Sequence, residues 1–155
     1  MSNLTELGHG RLTISLPGDW RDRSTLLFIG PHTASASAPL QAGAAAAFQS
    51  NIVITVESKP EGIETPKAFL EQMSDSMHAA GVDVQRVDST PFPLGEQDGW
   101  CIALRVDVEG TVMRQLVVAT FCDELAVVAT GSTEESMHAE QIELLREILA
   151  TVRFE

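Results

Sequence analysis

The sequence predicts an α+β fold in which helices pack on a mostly antiparallel β-sheet. Alternation of apolar and polar residues, which is typical of half-buried strands, recurs in several short segments separated by Pro and Gly. Two other segments repeat their apolar residues at helical spacing, one in the middle and one at the end of the chain. The order is strands, a helix, a longer run of strands and a second helix, unlike the regular βαβ alternation of a parallel sheet.

The first strands are predicted on either side of a polar corner. Arg11–Leu16 alternates and is ended by Pro and Gly, and Ser24–Ile29 forms a second short strand after the charged residues around Trp20. We expect these two strands to pair as a hairpin. Residues 32–48 are rich in Ala, Ser, Pro and Gly and contain no Asp, Glu, Lys or Arg, which predicts a flexible loop.

The segment Asn51–Glu57 is β-branched and alternating, so it predicts a strand with two distinct faces. We expect the core face to consist of Ile52, Ile54 and Val56. The outward face then consists of Asn51, Val53 and Thr55.

The first helix is predicted over Pro66–Ala80. Thr65 supplies an N-cap, Pro66 occupies the first helical position, and apolar residues then recur at helical spacing until a glycine ends the run. Val82–Val87 alternates again. The prolines that follow, at positions 91 and 93, lack a backbone N–H and confine this strand to a sheet edge.

The clearest local signal is a hairpin that begins near Trp100 and continues into Thr111–Cys122. A two-residue turn would force a glutamate to positive φ, so a three-residue loop, Val108–Gly110, is expected. That register places Gln115 beside Ala103, on the face away from Trp100.

The chain is predicted to end with a third strand of this meander and a helix. Leu125–Thr130 forms the strand after a short turn, and Ser132–Glu135 is expected to cap the helix with acidic residues in its first turn. The buried stripe of this helix is Ile142, Leu145, Ile148 and Leu149. Val152–Phe154 is expected to dock as a last strand or as coil.

Composition limits the class of protein and its partners. The 155 residues fit a single domain, 1–155, and 10 Lys and Arg against 22 Asp and Glu give a formal net charge of −12. Such acidity argues against nucleic acid and anionic membranes as partners. The sequence shows neither a signal peptide nor a membrane span, and Cys101 and Cys122 are too few for a disulfide framework. We therefore expect a cytoplasmic protein that does not insert into membranes, with both cysteines as buried small hydrophobes.

The sequence contains no motif that predicts an enzyme. No nucleophile elbow, phosphate-binding loop or metal-ligand spacing is present. Glu134 and His138 lie four residues apart and could hold a metal, but such pairs occur by chance on an acidic helix, and a solvated face is the preferred interpretation. No catalytic residue, metal or cofactor is predicted.

The outward face of the sheet is a candidate for binding instead. Side chains such as Val53, Thr55 and Gln115 mix apolar surface with uncharged hydrogen-bonding groups, which suits an apolar peptide. The alternative is that a second layer of the protein covers this face, as in sandwiches that bury both sides of a sheet.

Four segments together resemble the DcrB-related family. They read LPGDWRDRST at Leu16–Thr25, NIVITVE at Asn51–Glu57, MRQ at Met113–Gln115 and VRF at Val152–Phe154. The resemblance covers most of the chain and implies a PsbP-like α/β/α sandwich. The cytoplasmic branch of that family includes the Eag-type chaperones of bacterial type VI secretion, usually dimers, which hold the hydrophobic transmembrane segments of an effector before export.

The resemblance also implies a client-binding groove. Gln72 matches the family's helix glutamine and Gln115 the glutamine of its central strand. The implied client-binding residues are Thr25, Leu27, Asn51, Val53, Thr55, Gln72 and Gln115. We therefore expect a non-enzymatic adaptor or chaperone whose partner is a protein client with apolar helical segments, and which can form a homodimer. The alternative is a structural or regulatory domain of PsbP-like fold, without a secretion role, that binds a partner through a helix or an edge strand.

Overall fold

A computed structural model of the chain describes residues 4–9, 12–17, 21–22, 27–29 and 49–154. Within these residues there are ten strands and two α-helices. Their bounds, in chain order, are β1 Leu4–His9, β2 Leu12–Pro17, β3 Arg21–Asp22, β4 Leu27–Ile29, β5 Asn51–Ser58, α1 Pro66–Ala79, β6 Asp83–Pro91, β7 Gly99–Val108, β8 Thr111–Cys122, β9 Leu125–Glu134, α2 His138–Ala150 and β10 Arg153–Phe154.

Seven of the strands form one sheet in the order β3-β4-β5-β9-β8-β7-β6, and β1, β2 and β10 form a second sheet. Each pairing between neighbouring strands is antiparallel. Helix α1 packs on β6, β7 and β8, whereas α2 packs on β8 and β9 and also on β2. The two helices cover opposite faces of the large sheet. The predicted α+β fold, an antiparallel sheet with helices packed on it, is confirmed.

Two apolar clusters hold these layers together, one under each helix. On the α2 face, alternate residues of the central strands pack with Leu145 and Leu149, and on the α1 face the intervening residues pack with Phe69 and Leu70. Because both faces of β8 and β9 are covered, their apolar residues run nearly continuously instead of alternating with polar ones.

Helix α1 begins and ends where the sequence predicts, to within one residue. The hydroxyl of Thr65 accepts a hydrogen bond from the backbone N–H of Ala68 at 3.1 Å, and Pro66 occupies the first helical position. Gly81 follows the helix with φ of 86°, a conformation that glycine adopts without a steric penalty.

The predicted register of the central hairpin is wrong by one residue. Its loop contains two residues, Glu109 at φ 52° and Gly110 at φ 84°, which is the pattern of a type I′ turn. The carboxylate of Asp107 accepts a hydrogen bond from the N–H of Gly110 at 2.9 Å and so stabilises this tight turn. Gln115 therefore lies opposite Leu104, on the same face as Trp100.

The pairing of the N-terminal strands and the start of the last helix both differ from the predictions. The two N-terminal strands expected to form a hairpin lie in different sheets, because β2 pairs with β1 and β10 while β4 pairs with β3 and β5. Strand β1 was not predicted. The expected cap of the last helix is also wrong, since Ser132 and Thr133 are buried in β9, and a short 3₁₀ turn, Glu135–Met137, precedes α2.

The remaining predictions concern the exposure of single side chains, the edge strand and segments that the structure does not describe. Val56, expected in the core, is 42% exposed, and Cys122 is only partly buried whereas Cys101 is fully buried. The predicted edge strand does lie at the sheet edge as β6, and the chain's last strand is β10. The predicted loop at 32–48 and the corner around Trp20 lie outside the described residues, apart from the β3 backbone.

Candidate functional site

Helix α1 is too narrow to cover its whole face of the sheet. Seven strands spaced about 4.8 Å apart span roughly 29 Å, whereas a helix with its side chains is about 10 Å wide. Since α1 lies over β6, β7 and β8, strand β5 and the adjoining side of β9 are left beside it. On β5, Ile52 and Ile54 point to the other face and are fully buried, while Val53 is 37% exposed and Thr55 is also exposed.

A groove of about 720 Å³ runs between α1 and this part of the sheet, which none of the residues that the structure describes covers, and we refer to it as the α1 groove. Helix, sheet and the connection before α1 all contribute to its walls. Its lining residues are Thr55, Glu57, Pro60, Ile63, Phe69, Gln72, Met73, Ser76, Met77, Ala80, Val82, Val128 and Thr130.

The lining combines an apolar floor with an uncharged polar rim. Phe69, Met73, Met77 and Val128 are buried or half-buried, whereas hydroxyl and amide groups occupy the sides. Glu57 is the one charged residue among the lining side chains. This is a surface that favours apolar ligands, because few charges need to be desolvated, and it still offers hydrogen bonds to polar groups that enter.

The periodicity of α1 explains how one helix supplies both the floor and the rim. Phe69, Met73 and Met77 are spaced four residues apart and so share one face of the helix. Gln72 and Ser76, each one residue before a methionine, form a parallel row beside them. Phe69 is fixed by an edge-to-face contact with Phe121 of β8, with ring centroids 5.9 Å apart.

A second cleft, of about 610 Å³, lies at the start of α1 and has a different character. Four of its ten lining residues are charged: Glu64, Lys67, Glu96 and Asp98. The ammonium group of Lys67 lies 5.0 Å from the ring centroid of Trp100, so the aromatic surface of this cleft is already in contact with a cation. The α1 groove is the less charged of the two.

Comparison with known proteins identifies the family. A model of the DcrB family matches residues 12–151. The chain belongs to the DcrB family. A search of curated protein sequences finds no match.

Solved structures similar to this DcrB-family chain show the fold. CyanoP, the cyanobacterial PsbP of Synechocystis, superposes with a TM-score of 0.68 at 11% identity, over 100% of this chain and 94% of that chain. LpqN of Mycobacterium tuberculosis, involved in cell envelope biogenesis, gives 0.62 at 12% identity, over 97% and 91%. A Pseudomonas aeruginosa protein of unknown function gives 0.59 at 12% identity, over 97% and 96%. The DcrB-family chain therefore has a PsbP-like fold.

Most of the predicted client-binding residues of the DcrB-family chain share the α1 face of the sheet. Thr55 and Gln72 line the α1 groove, and Val53 precedes Thr55 on the same face of β5. Leu27 lies directly opposite Val53 in the backbone register. Thr25 lies outside the described residues.

Asn51 and Gln115 lie one row further along this face. The register places Ser132 of β9 between them, opposite both. The side-chain amide of Gln115 donates a hydrogen bond to the hydroxyl of Ser132 at 3.1 Å, and that of Asn51 donates to the carbonyl of Gln49 at 3.1 Å. The two amides extend the polar side of the face beyond the groove and do not line it.

Sequence reasoning missed the groove's apolar floor on the helix. Met73 and Met77 are among the apolar residues whose spacing predicts α1, yet both are only half-buried, in contrast to the fully buried Leu70. The available signal was their spacing of four residues from Phe69, which places the three side chains on one face of the helix.

The perturbed titratable groups of the described chain lie away from the α1 groove. Burial raises the pKa of the Cys101 thiol to about 11, which keeps it protonated and unreactive at neutral pH. Within the described residues, no group of three His, Cys, Asp or Glu side chains is placed to hold a metal ion. Neither described helix is long and apolar enough to cross a membrane.

Proposed function

We propose that this DcrB-family protein is a non-enzymatic binding module whose α1 groove holds an apolar helical segment of a protein client. The observation that carries the proposal is the groove itself. It places half-buried apolar side chains beside a part of the sheet that no described residue covers, with a rim of hydroxyl and amide groups and a single charge among the thirteen described lining residues. A small polar metabolite would need more charged or convergent polar groups than this lining offers.

A helix is the occupant that the layer geometry favours. Neighbouring helices pack with their axes about 8–10 Å apart, so a client helix beside α1 would lie over β5 and complete the layer. Every 100 Å² of apolar surface removed from water there contributes about 2.5 kcal/mol before the entropic costs of association. Met73 and Met77 have flexible side chains that adapt to differently shaped apolar ligands.

The more specific role that we propose is that of a cytoplasmic chaperone for a type VI secretion effector. Its support is the resemblance to Eag-type chaperones, together with the position of Gln72 at the rim of the α1 groove. A net charge of −12 would keep a protein with an exposed apolar groove in solution. Dimerisation is part of this proposal, and sedimentation analysis of the purified protein measures it.

Binding through an edge strand has less support. Strand β6, one edge of the large sheet, is interrupted by a bulge between Arg86 and Asp88 and ends at Pro91. Bulges, charged side chains and prolines at an edge all hinder the addition of a further strand.

The experiment that tests the proposal is co-purification of the tagged protein with candidate clients encoded by neighbouring genes. Val53→Glu places a charge beside the α1 groove at an exposed position, so the variant should fold and lose capture of the client. Val87→Glu is the matched control, because Val87 is an exposed valine on the distant strand β6. It should capture as well as the unaltered protein.

A synthetic peptide of about 20 apolar residues, the length of a transmembrane helix, provides a second probe. We expect its binding to be lost in Val53→Glu and retained in Val87→Glu. Undiminished binding of both clients and peptide by a folded Val53→Glu variant would contradict the groove assignment. Capture that requires β6 instead would favour the edge-strand alternative.

A further inference from the structure

A cluster of basic side chains lies on the opposite face of the sheet, next to the turn that precedes α2. The register places Arg105 of β7 directly opposite Arg114 of β8. The carboxylate of Glu135 lies between them. It accepts hydrogen bonds from Arg105 at 2.9 Å (Nε to Oε1) and 3.3 Å (Nη2 to Oε2), while the Nε of Arg114 is 3.7 Å from Oε1. His138, the first residue of α2, is within electrostatic range of Arg114 and Glu135.

This arrangement leaves hydrogen-bonding capacity unused. The Nε of Arg114 and the Nδ1 of His138 are both buried and have no hydrogen-bond partner among the described residues. The Arg114 side chain as a whole is 21% exposed. Buried polar atoms in folded proteins are nearly always hydrogen-bonded, so both nitrogens retain a capacity that a further group in the cluster could satisfy.

The sign of the local charge indicates which kind of group would suit this cluster. Two guanidinium groups directly opposite each other repel, and one carboxylate does not neutralise both. Both oxygens of Glu135 are already bonded to Arg105, so Glu135 satisfies Arg114 only weakly. Two further carboxylates, Asp83 and Asp107, interact electrostatically with Arg105. An additional anion next to Arg114 would balance the charge.

We infer that Arg105, Arg114 and His138 form a binding site for a phosphate group. A tetrahedral oxyanion accepts hydrogen bonds from several directions at once, and guanidinium groups donate strongly to it. The net charge of −12 disfavours long polyanions. It acts weakly on a small anion in direct contact with two arginines, because salt screens charges beyond roughly 8 Å. The site is independent of the α1 groove, which lies on the other face.

The test is an NMR titration of the full chain with inorganic phosphate and, separately, with phenyl phosphate. The Nε–H of Arg114 and the ring of His138 are the signals observed. We expect saturable shifts of both, and binding at least about tenfold weaker in Arg114→Gln. Arg86→Gln is the matched control, because Arg86 pairs with Glu71 and Asp75 away from the cluster. It should bind phosphate as tightly as the unaltered protein.

A second variant guards against loss of folding in Arg114→Gln. Glu135→Gln removes the competing carboxylate, so we expect it to bind phosphate more tightly. Saturation with phosphate should also raise the pKa of His138, an effect that a purely structural ion pair would not produce. Tighter binding of phenyl phosphate than of phosphate would identify a phosphate monoester as the ligand, and the reverse order would identify free phosphate.

Three results would overturn the site. The first is that neither compound shifts these signals in the unaltered protein or in Glu135→Gln. The second is that a folded Arg114→Gln variant binds with unchanged affinity. The third is that acetate produces the same shifts at the same concentration, which would mean that the cluster does not distinguish a phosphate group from a carboxylate.

Discussion

The two faces of the seven-stranded sheet are formed by the same strands but are covered to different extents. On the α2 face, Ile54, Leu116 and Leu145 are almost completely excluded from solvent. On the α1 face, Val53 is exposed three strands away from the buried Ile102, and Met77 on the helix is half-buried. Among the described residues, one face is covered throughout, and the other is covered only under its helix.

The difference follows from the number of elements that cover each face. The α2 face is covered by α2 and by residues of the second sheet and its flank, since Ile14 and Val152 belong to the same apolar cluster as Leu149. In the described part of the chain, the α1 face carries one helix of 14 residues, about 21 Å long and 10 Å wide. Because the larger apolar cluster lies on the α2 face, we expect that face to contribute more to stability, and we propose the open part of the α1 face as the binding surface.

Adjacent residues of β5 give the sharpest test of this comparison. Ile54 is fully buried on the α2 face, so Ile54→Ala should lower the free energy of unfolding by about 2–5 kcal/mol. Val53 is its neighbour on the open face, so Val53→Ala should lower it by less than about 1 kcal/mol. Denaturant unfolding at equilibrium measures both values. Equal losses would show that the α1 face is covered as completely as the α2 face.

The sequence predicted the local elements well because their signals are local. Alternation located β2 and β5, and Thr65 with Pro66 located the start of α1. The central hairpin was displaced by one residue because the hydrogen bond between Asp107 and the N–H of Gly110, which stabilises a two-residue turn, is not apparent from residue patterning. A one-residue displacement moves every side chain of a strand to the other face of the sheet. Gln115 was therefore predicted on the face opposite to Trp100, whereas both residues lie on the same face.

The candidate site was less predictable, because it depends on how elements pack over long distances. The outward face of β5 was predicted, and Val53 and Thr55 are exposed there. The lateral position of α1 decides which part of that face stays open, and nothing in the helix sequence specifies it. The same limit applies to the assignment of β2 and β4 to one hairpin, since β2 pairs with β10 and β4 pairs with β5, both far away in the sequence.

The N-cap of α1 tests how much the single helix on the open face contributes to stability. Thr65→Ala removes the hydrogen bond to the N–H of Ala68 and should lower the free energy of unfolding by about 1 kcal/mol. Ser76→Ala, at an exposed position of the same helix, is the control and should change it by less than about 0.5 kcal/mol. Because the cap positions the start of the helix and not its sheet contacts, capture of a client should persist in Thr65→Ala. Loss of capture would mean that the α1 groove depends on the exact position of that end.

The smallest expected effect is on the pH dependence of the free energy of unfolding, and it comes from His138 at the start of α2. Burial, followed by the nearby charge of Arg114, lowers the pKa of His138 below 6.5, although Glu135 opposes this. As the pH falls through 6.5, the unfolded chain binds a proton at His138 before the folded protein does, so the free energy of unfolding decreases. His138→Gln should remove this part of the decrease, while the two proteins should show parallel pH dependence above about pH 8, where histidine is neutral. Denaturant unfolding of both proteins across this range measures the difference, and a decrease of the same size in His138→Gln would show that other groups cause it. Phosphate bound beside Arg114 would favour the protonated imidazole, so adding phosphate should diminish the decrease in the unaltered protein and have no such effect in the variant.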